Sequence, residues 1–137
     1  MKSIWVAIVL GIYLPFLLGC EKTSEQNRAA DEAHLTMLRT EMEAYVKDKT
    51  CSDTEDWAFV AVGNKACGGP QYYMAYPSTI DIPAFLDAVA TYTDATDAFN
   101  KKYTIVSDCM FVSPPKAVHC DDGKPLLIYA NDSFSGL

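Results

Sequence analysis

Five cysteines in 137 residues constrain this chain more than any other feature. Cys20 stands alone near the start, while Cys51, Cys67, Cys109 and Cys120 are spread through the rest of the chain. In an oxidising space, four such residues become two crosslinks, and a small domain can then stand on a modest core. In a reducing space they would be thiols or metal ligands. The compartment therefore decides how the cysteines are used, and the amino terminus speaks to the compartment.

Lys2 is the only charge before Glu21, and an apolar run extends from Ile4 to Leu18. A basic start, a short apolar stretch and a small residue at its end read as a secretory signal over residues 1–19. The run is shorter than the roughly 20 residues that span a bilayer, and Pro15 interrupts it. It closes on Leu17-Leu18-Gly19-Cys20, which resembles the lipobox of bacterial lipoproteins. The resemblance implies cleavage before Cys20, a diacylglyceryl thioether on its sulfur and, usually, a palmitate-class chain on the new amino terminus. One acyl chain binds a bilayer only marginally, whereas two or three make a durable anchor. Position 21 is Glu rather than the Asp that, in Gram-negative members, retains lipoproteins at the inner membrane. The expected address is thus the extracytoplasmic side of a bacterial envelope, with the outer membrane favoured in a Gram-negative cell. The expected membrane contact is the lipid on Cys20.

With Cys20 assigned to lipid, the other four form an even set in an exported chain, and two disulfides are expected. Cys109 and Cys120 lie symmetrically about Pro114-Pro115, so a hairpin there would bring them face to face and leave Cys51 with Cys67. That pairing, Cys51–Cys67 with Cys109–Cys120, is the expected one, and its rival joins Cys67 with Cys109. No Cys-x-x-Cys is present, so neither a zinc ribbon nor a thioredoxin-like redox pair is expected.

Residues 20–33 are polar and small, without an aromatic, and read as an acylated tether running into a helix. From about Ala29 to Asp48, Leu35, Leu38, Met42 and Tyr45 form one helical stripe. Trp57–Val62 is rich in aromatic and β-branched residues and reads as a central strand. Gly68-Gly69-Pro70 breaks the pattern before a short extended segment, Gln71–Tyr76. A second helix starts at Asp81 or Ile82 with Pro83 in its first turn, where no N–H is needed. Its apolar face runs through Ile82, Phe85, Leu86, Val89, Tyr92, Phe99 and Tyr103, and Thr91, Thr93 and Thr96 weaken its intrinsic propensity. Tyr103–Val106 and Met110–Val112 read as one bent strand or two. Ala117–Cys120 and Leu126–Tyr129 read as strands flanking an Asp121–Pro125 turn. The expectation is a single α+β domain over residues 34–130, with a small antiparallel sheet packed with two helices and stapled by two disulfides. A polar tail, in which Phe134 could pack, runs from 131 to 137.

A second resemblance rests on Gly63-Asn-Lys-Ala-Cys67-Gly-Gly-Pro70, Tyr73–Ser78, Asn100-Lys-Lys-Tyr103, Ser107-Asp-Cys109 and Pro114-Pro115. Together these are similar to a family of small exported or lipid-anchored bacterial domains with the same Cys-Gly-Gly-Pro and Ser-Asp-Cys elements. The likeness covers residues 51–125 and implies export and fold, with no activity attached. Some members carry a further cysteine pair, at positions occupied here by Trp57 and Pro125.

Eighteen acidic residues against eleven basic ones argue against nucleic-acid binding, which needs a basic surface. A half-apolar composition excludes a wholly disordered chain. The chemistry-bearing residues are few. His34 and His119 are isolated, and sequence neighbours of His119 on a strand point away from it. Glu55-Asp56 and Asp121-Asp122 sit in loops, where paired carboxylates lack the unequal surroundings that acid–base chemistry needs. Asp53, Glu55 and Asp56 lack EF-hand spacing. Gly68-Gly69 reads as tight backbone geometry beside Cys67, and Ser107-Asp108-Cys109 as a turn held by the Asp side chain. No cofactor or metal is expected.

Tyr72, Tyr73 and Tyr76, with Tyr92, are the candidate recognition surface, because tyrosine offers apolar area and a hydroxyl together. The same rings could instead cap a small core. The expected function is a non-enzymatic binding module for a protein partner in the envelope, an inhibitor of an exported hydrolase being one form. The alternatives are an envelope-acting hydrolase using either Asp108 or the pair Asp121 and Asp122, or a passive envelope component that self-associates through the first helix.

Overall fold

The structure is a computed structural model that describes residues 19–130, with side chains from Ser24 onward. The expected leader up to Leu18, the side chain of Cys20 and the tail 131–137 with Phe134 lie outside the described residues. The chain divides into two units, Met1–His34 and Leu35–Leu137. All described residues of the first unit are helical.

Helix α1 runs Gly19–Ala44, starting well before the apolar stripe begins. Polarity made residues 20–33 look like a flexible tether, yet Glu, Gln, Arg and Ala there are all good helix formers. Arg28 pairs with Glu32, and Arg39 with Glu43, one turn apart along the helix. In the second unit, α1 turns Leu38 and the wholly buried Met42 toward the core. A turn closes the helix through Lys47 N–H to Glu43 O at 3.0 Å, and Asp48 takes a left-handed conformation.

Strands β1 (Trp57–Val62) and β2 (Tyr72–Pro77) pair antiparallel, with Val62 opposite Tyr72 and Trp57 opposite Pro77. Strand alternation puts Val60, Val62, Tyr72, Met74 and Tyr76 on the face that meets the core. Helix α2 (Ile82–Lys102) lays Phe85, Val89, Tyr92 and Thr96 against that face. Its start is as expected: the Asp81 carboxylate accepts from Ala84 N–H at 3.1 Å, and Pro83 occupies the first turn. Leu86 stays 37% exposed and Thr96 takes the buried place one turn beyond Tyr92. Met42, Val62, Phe85, Val89 and Tyr92 form the core.

Strands β3 (Ala117–Asp121) and β4 (Lys124–Ile128) form a second antiparallel pair. Their turn is only Asp122-Gly123, both at positive φ, which suits the right-handed twist of a two-residue hairpin. The α+β class stands, but the sheet is two separate two-stranded sheets, so β1 is not central. The β3–β4 hairpin lies against β1 and β2.

Two expectations fail together. Residues 103–106 and 110–112 form no strand. Their β-branched and aromatic composition suits a sheet, but among the described residues neither two-stranded sheet extends a ladder to them. Without that hairpin, Cys109 and Cys120 are not brought face to face. The disulfides are Cys51–Cys120 and Cys67–Cys109, with Cα atoms 5.3 and 5.4 Å apart. Pairing Cys51 with Cys67 fails for a geometric reason. Strand β1 lies between them and carries the chain about 20 Å from one end of the sheet to the other. The observed bonds close longer loops than the expected ones, and in the chain-entropy account each contributes about 4 kcal/mol.

Phe85 is fully buried between Tyr45 and Tyr76, with ring centroids 6.0 and 5.0 Å away. Phe85→Ala is therefore expected to lower the unfolding free energy by about 3–5 kcal/mol, measured by urea denaturation followed by circular dichroism.

Candidate functional site

The threonines that weaken α2 as a helix anchor the chain leaving β1. Thr93 Oγ1 accepts the Gly63 N–H at 3.0 Å, and Thr96 Oγ1 accepts the Asn64 N–H at 2.9 Å. Asn64 Nδ2 donates to Asp97 at 2.8 Å, and the Asn64 carbonyl accepts from Asn100 at 2.8 Å and Gln71 at 3.3 Å. Gly63 is required here: φ is +69°, and a Cβ would fall 2.5 Å from Gln71 Oε1.

Beyond this fixed point, Lys65 N–H donates to Gly69 O and Gly68 N–H to Lys65 O, each at 2.8 Å. Gly68 and Gly69 both take positive φ, so the Gly-Gly pair closes a tight turn, as its sequence implies. The turn holds Lys65 with its side chain only 13% exposed. Lys65 Nζ pairs with the Asp108 carboxylate and donates to Met110 O at 2.9 Å. Cys67 N–H donates to Ser107 Oγ at 3.3 Å, and Cys67 is bonded to Cys109. Asp108 is thus held by Lys65, instead of closing its own turn.

These contacts brace the segment 104–116. At its ends, Ile105 N–H donates to Asn100 O at 3.0 Å and Lys116 N–H to Ile128 O at 2.7 Å. Between them, no backbone–backbone hydrogen bond occurs among the described residues. Val106, Met110 and Phe111 stand 89%, 73% and 81% exposed. Three large apolar side chains thus stand in water on a crosslinked loop without regular secondary structure, and they are the most exposed large hydrophobic residues of the described surface. The strand-like composition of 103–112 concealed them. The legible signal was Cys109 close before Pro114-Pro115, which sets irregular backbone around the apolar residues.

The tyrosines do not form one surface. Tyr72 and Tyr76 pack against the core, and Tyr92 is 6% exposed with its hydroxyl donating to Gln71 Oε1 at 3.4 Å. Tyr73 lies on the opposite face of the sheet, edge-on to Phe59 with centroids 6.1 Å apart. Cys51 is buried and bonded to Cys120 on β3. His34 and His119 are exposed and far apart in sequence. Asp53 caps the 3-10 turn Thr54–Asp56, accepting from Glu55 N–H at 3.0 Å. Asp121 and Asp122 end the β3–β4 hairpin. Among the described residues, no group of three His, Cys, Asp or Glu side chains could hold a metal ion. A shallow groove between α1 and α2 is lined by Leu38, Glu41, Tyr45, Asp87 and Thr91.

No protein family, curated protein or solved structure matches the chain.

The Tyr72 hydroxyl is buried without a hydrogen-bond partner among the described residues. Burial, reinforced by neighbouring Tyr92 and Glu43 and opposed by Arg39, pushes it up from 10.0 to about 12. Since the folded value exceeds the unfolded one, the neutral hydroxyl's contribution is whole below about pH 10 and is lost as pH rises toward 12. Tyr72→Phe is expected to be neutral or slightly stabilising at pH 7, because it removes an unpaired buried group. Above pH 10 it should lose less stability than wild type, the rest of the decline coming from Tyr92, which burial also raises. Urea unfolding between pH 7 and 12 checks this; parallel decline in both proteins would refute it.

Proposed function

We propose that the protein is a lipid-anchored, extracytoplasmic interaction module of a bacterial envelope. It grips another envelope protein through the loop 104–116. The observation that carries the reading is the exposure of Val106, Met110 and Phe111 on a loop braced by a disulfide and by Lys65. A contact surface held in one conformation loses less entropy on binding than a floppy one, and buried aromatic or Met anchors supply most interface energy. We assign the recognition role expected of Tyr72, Tyr73 and Tyr76 to these loop residues instead, because Tyr72 and Tyr76 are half-buried and packed against the core. An inhibitor-like mode, in which the braced loop enters the cleft of an exported hydrolase, is one form of this function.

The address rests on Leu17-Leu18-Gly19-Cys20 behind the apolar run, with lipid on Cys20 and the mature chain starting there. The Cys67-Gly-Gly-Pro70 and Ser107-Asp-Cys109 elements, which resemble those of small exported domains, point the same way, although no family model matches the chain. Cys20→Ser is expected to move the protein from the membrane to the soluble fraction and to abolish the acyl mass increment. Unchanged fractionation with no acyl mass in wild type would overturn the anchor.

The contact surface has its own test. Crosslinking in native membranes should yield a discrete adduct with the wild type. The Met110→Ser/Phe111→Ser variant should lose it while keeping its circular dichroism spectrum, because both side chains are exposed. The same adduct from the variant would sink the loop assignment.

A further inference from the structure

The two disulfides sit in opposite environments. Cys51 is 3% exposed, its N–H donates to Gly123 O at 2.9 Å, and its partner Cys120 lies within the paired strand β3. Cys67 and Cys109 are both exposed, and neither belongs to a helix or strand. Cys67 borders the Gly68-Gly69 turn, and among the described residues nothing beyond the adjoining residues of the chain lies within 4 Å of where a Cβ on either glycine would be. Thiol–disulfide exchange needs an attacking thiolate to reach a sulfur, so access separates these bonds.

We infer that Cys67–Cys109 is an exchangeable bond. A dithiol reductant opens it while Cys51–Cys120 and the domain stay intact, and its opening releases the loop 104–116. In the first step the reductant's thiolate bonds to Cys67 Sγ or Cys109 Sγ. The bond between them breaks, and the displaced sulfur leaves as a thiolate that takes a proton from solvent. The reductant's second thiol then attacks the mixed disulfide, closing the reductant's own disulfide and freeing the other cysteine. Two electrons and two protons pass to the protein, and the dithiol is oxidised.

The structural effect is local. None of the five core residues, Met42, Val62, Phe85, Val89 and Tyr92, lies in the loop. The Asn64 anchorage on α2 involves neither cysteine. Once the bond opens, the loop interior keeps the Lys65 contacts to Asp108 and Met110 O and the Ser107 hydroxyl contact. The Lys65 side chain is only 13% exposed but that of Asp108 is 66% exposed, and an ion pair with one partner so open to solvent holds a chain weakly. The bond therefore decides whether Val106, Met110 and Phe111 are presented in one arrangement or in many. This chemistry does not depend on what the loop contacts, so it stands or falls apart from the proposed function.

The oxidised full chain is equilibrated with graded dithiothreitol, quenched with N-ethylmaleimide and mapped by peptide mass spectrometry. Cys67 and Cys109 are expected to be half-modified at about tenfold less dithiothreitol than Cys51 and Cys120. Helical circular dichroism should be unchanged at that point, and tryptic cleavage after Lys102 and Lys116 should be accelerated. Simultaneous modification of all four cysteines, earlier opening of Cys51–Cys120, or loss of helix signal with the first pair would overturn the inference. A Cys67→Ser/Cys109→Ser variant gives a second reading. It should keep the wild-type helix signal and show fast loop cleavage without reductant. Cleavage as slow as in oxidised wild type would show that the bond is not what holds the loop.

Discussion

Asn64 fastens the end of β1 to α2, and much of the molecule takes its position from that junction. Its N–H reaches Thr96, its side-chain amide reaches Asp97, and its carbonyl receives Asn100 and Gln71. Every one of these partners except Gln71 lies on one face of α2, so a single residue reads off the helix over more than a turn. Gly63 makes the approach possible, since any side chain would meet the Gln71 amide. The junction sits beside the core residues Val62 and Tyr92, where unpaired polar groups would be costly. It also aims the next residues outward: Lys65 and Cys67 emerge from it toward the chain that leaves α2.

The core alone is small. Five buried side chains from α1, β1 and α2 hold one helix-and-hairpin layer together. The β3–β4 hairpin adds one buried apolar residue, Val118, at 4% exposure. Cys51–Cys120 supplies what apolar area does not, tying the hairpin to the chain entering β1, and Cys51 N–H to Gly123 O doubles the connection. Cys67–Cys109 serves a different region, holding irregular backbone that no ladder supports. One crosslink stabilises a sheet, and the other shapes a surface.

How much could be read in the sequence depends on how local each feature is. The bounds of β1 and the start of α2 were legible, because aromatic and β-branched clustering, Asp81 and Pro83 act within one element. The hairpin strands β3 and β4 were legible, although their turn proved to be two residues, Asp122 and Gly123. The disulfide pairing was not, because it depends on where strands of different sheets end in space. The strand reading of 103–112 failed for a related reason: Ile105, Val106, Phe111 and Val112 have sheet propensity but no neighbour to pair with. Helix α1 shows the reverse, since intrinsic propensity extends it through residues without an apolar stripe. The tyrosines of β2 were ambiguous because alternation sends neighbours to opposite faces, and only the position of α2 shows which face is covered. The role of Thr93 and Thr96 was hidden in the same way: a poor helix former was visible, its backbone partners on β1 were not.

The order of the bonded cysteines along the chain has a topological consequence. Cys67–Cys109 lies wholly inside the span closed by Cys51–Cys120, so the molecule is a ring within a ring. A single break in the backbone anywhere between Cys51 and Cys120 leaves every residue covalently joined to every other through the outer bond. The exposed loop lies within that span. A peptidase that cuts it once converts a closed strap into two open arms, without releasing a fragment or detaching the β3–β4 hairpin from the residues that enter β1.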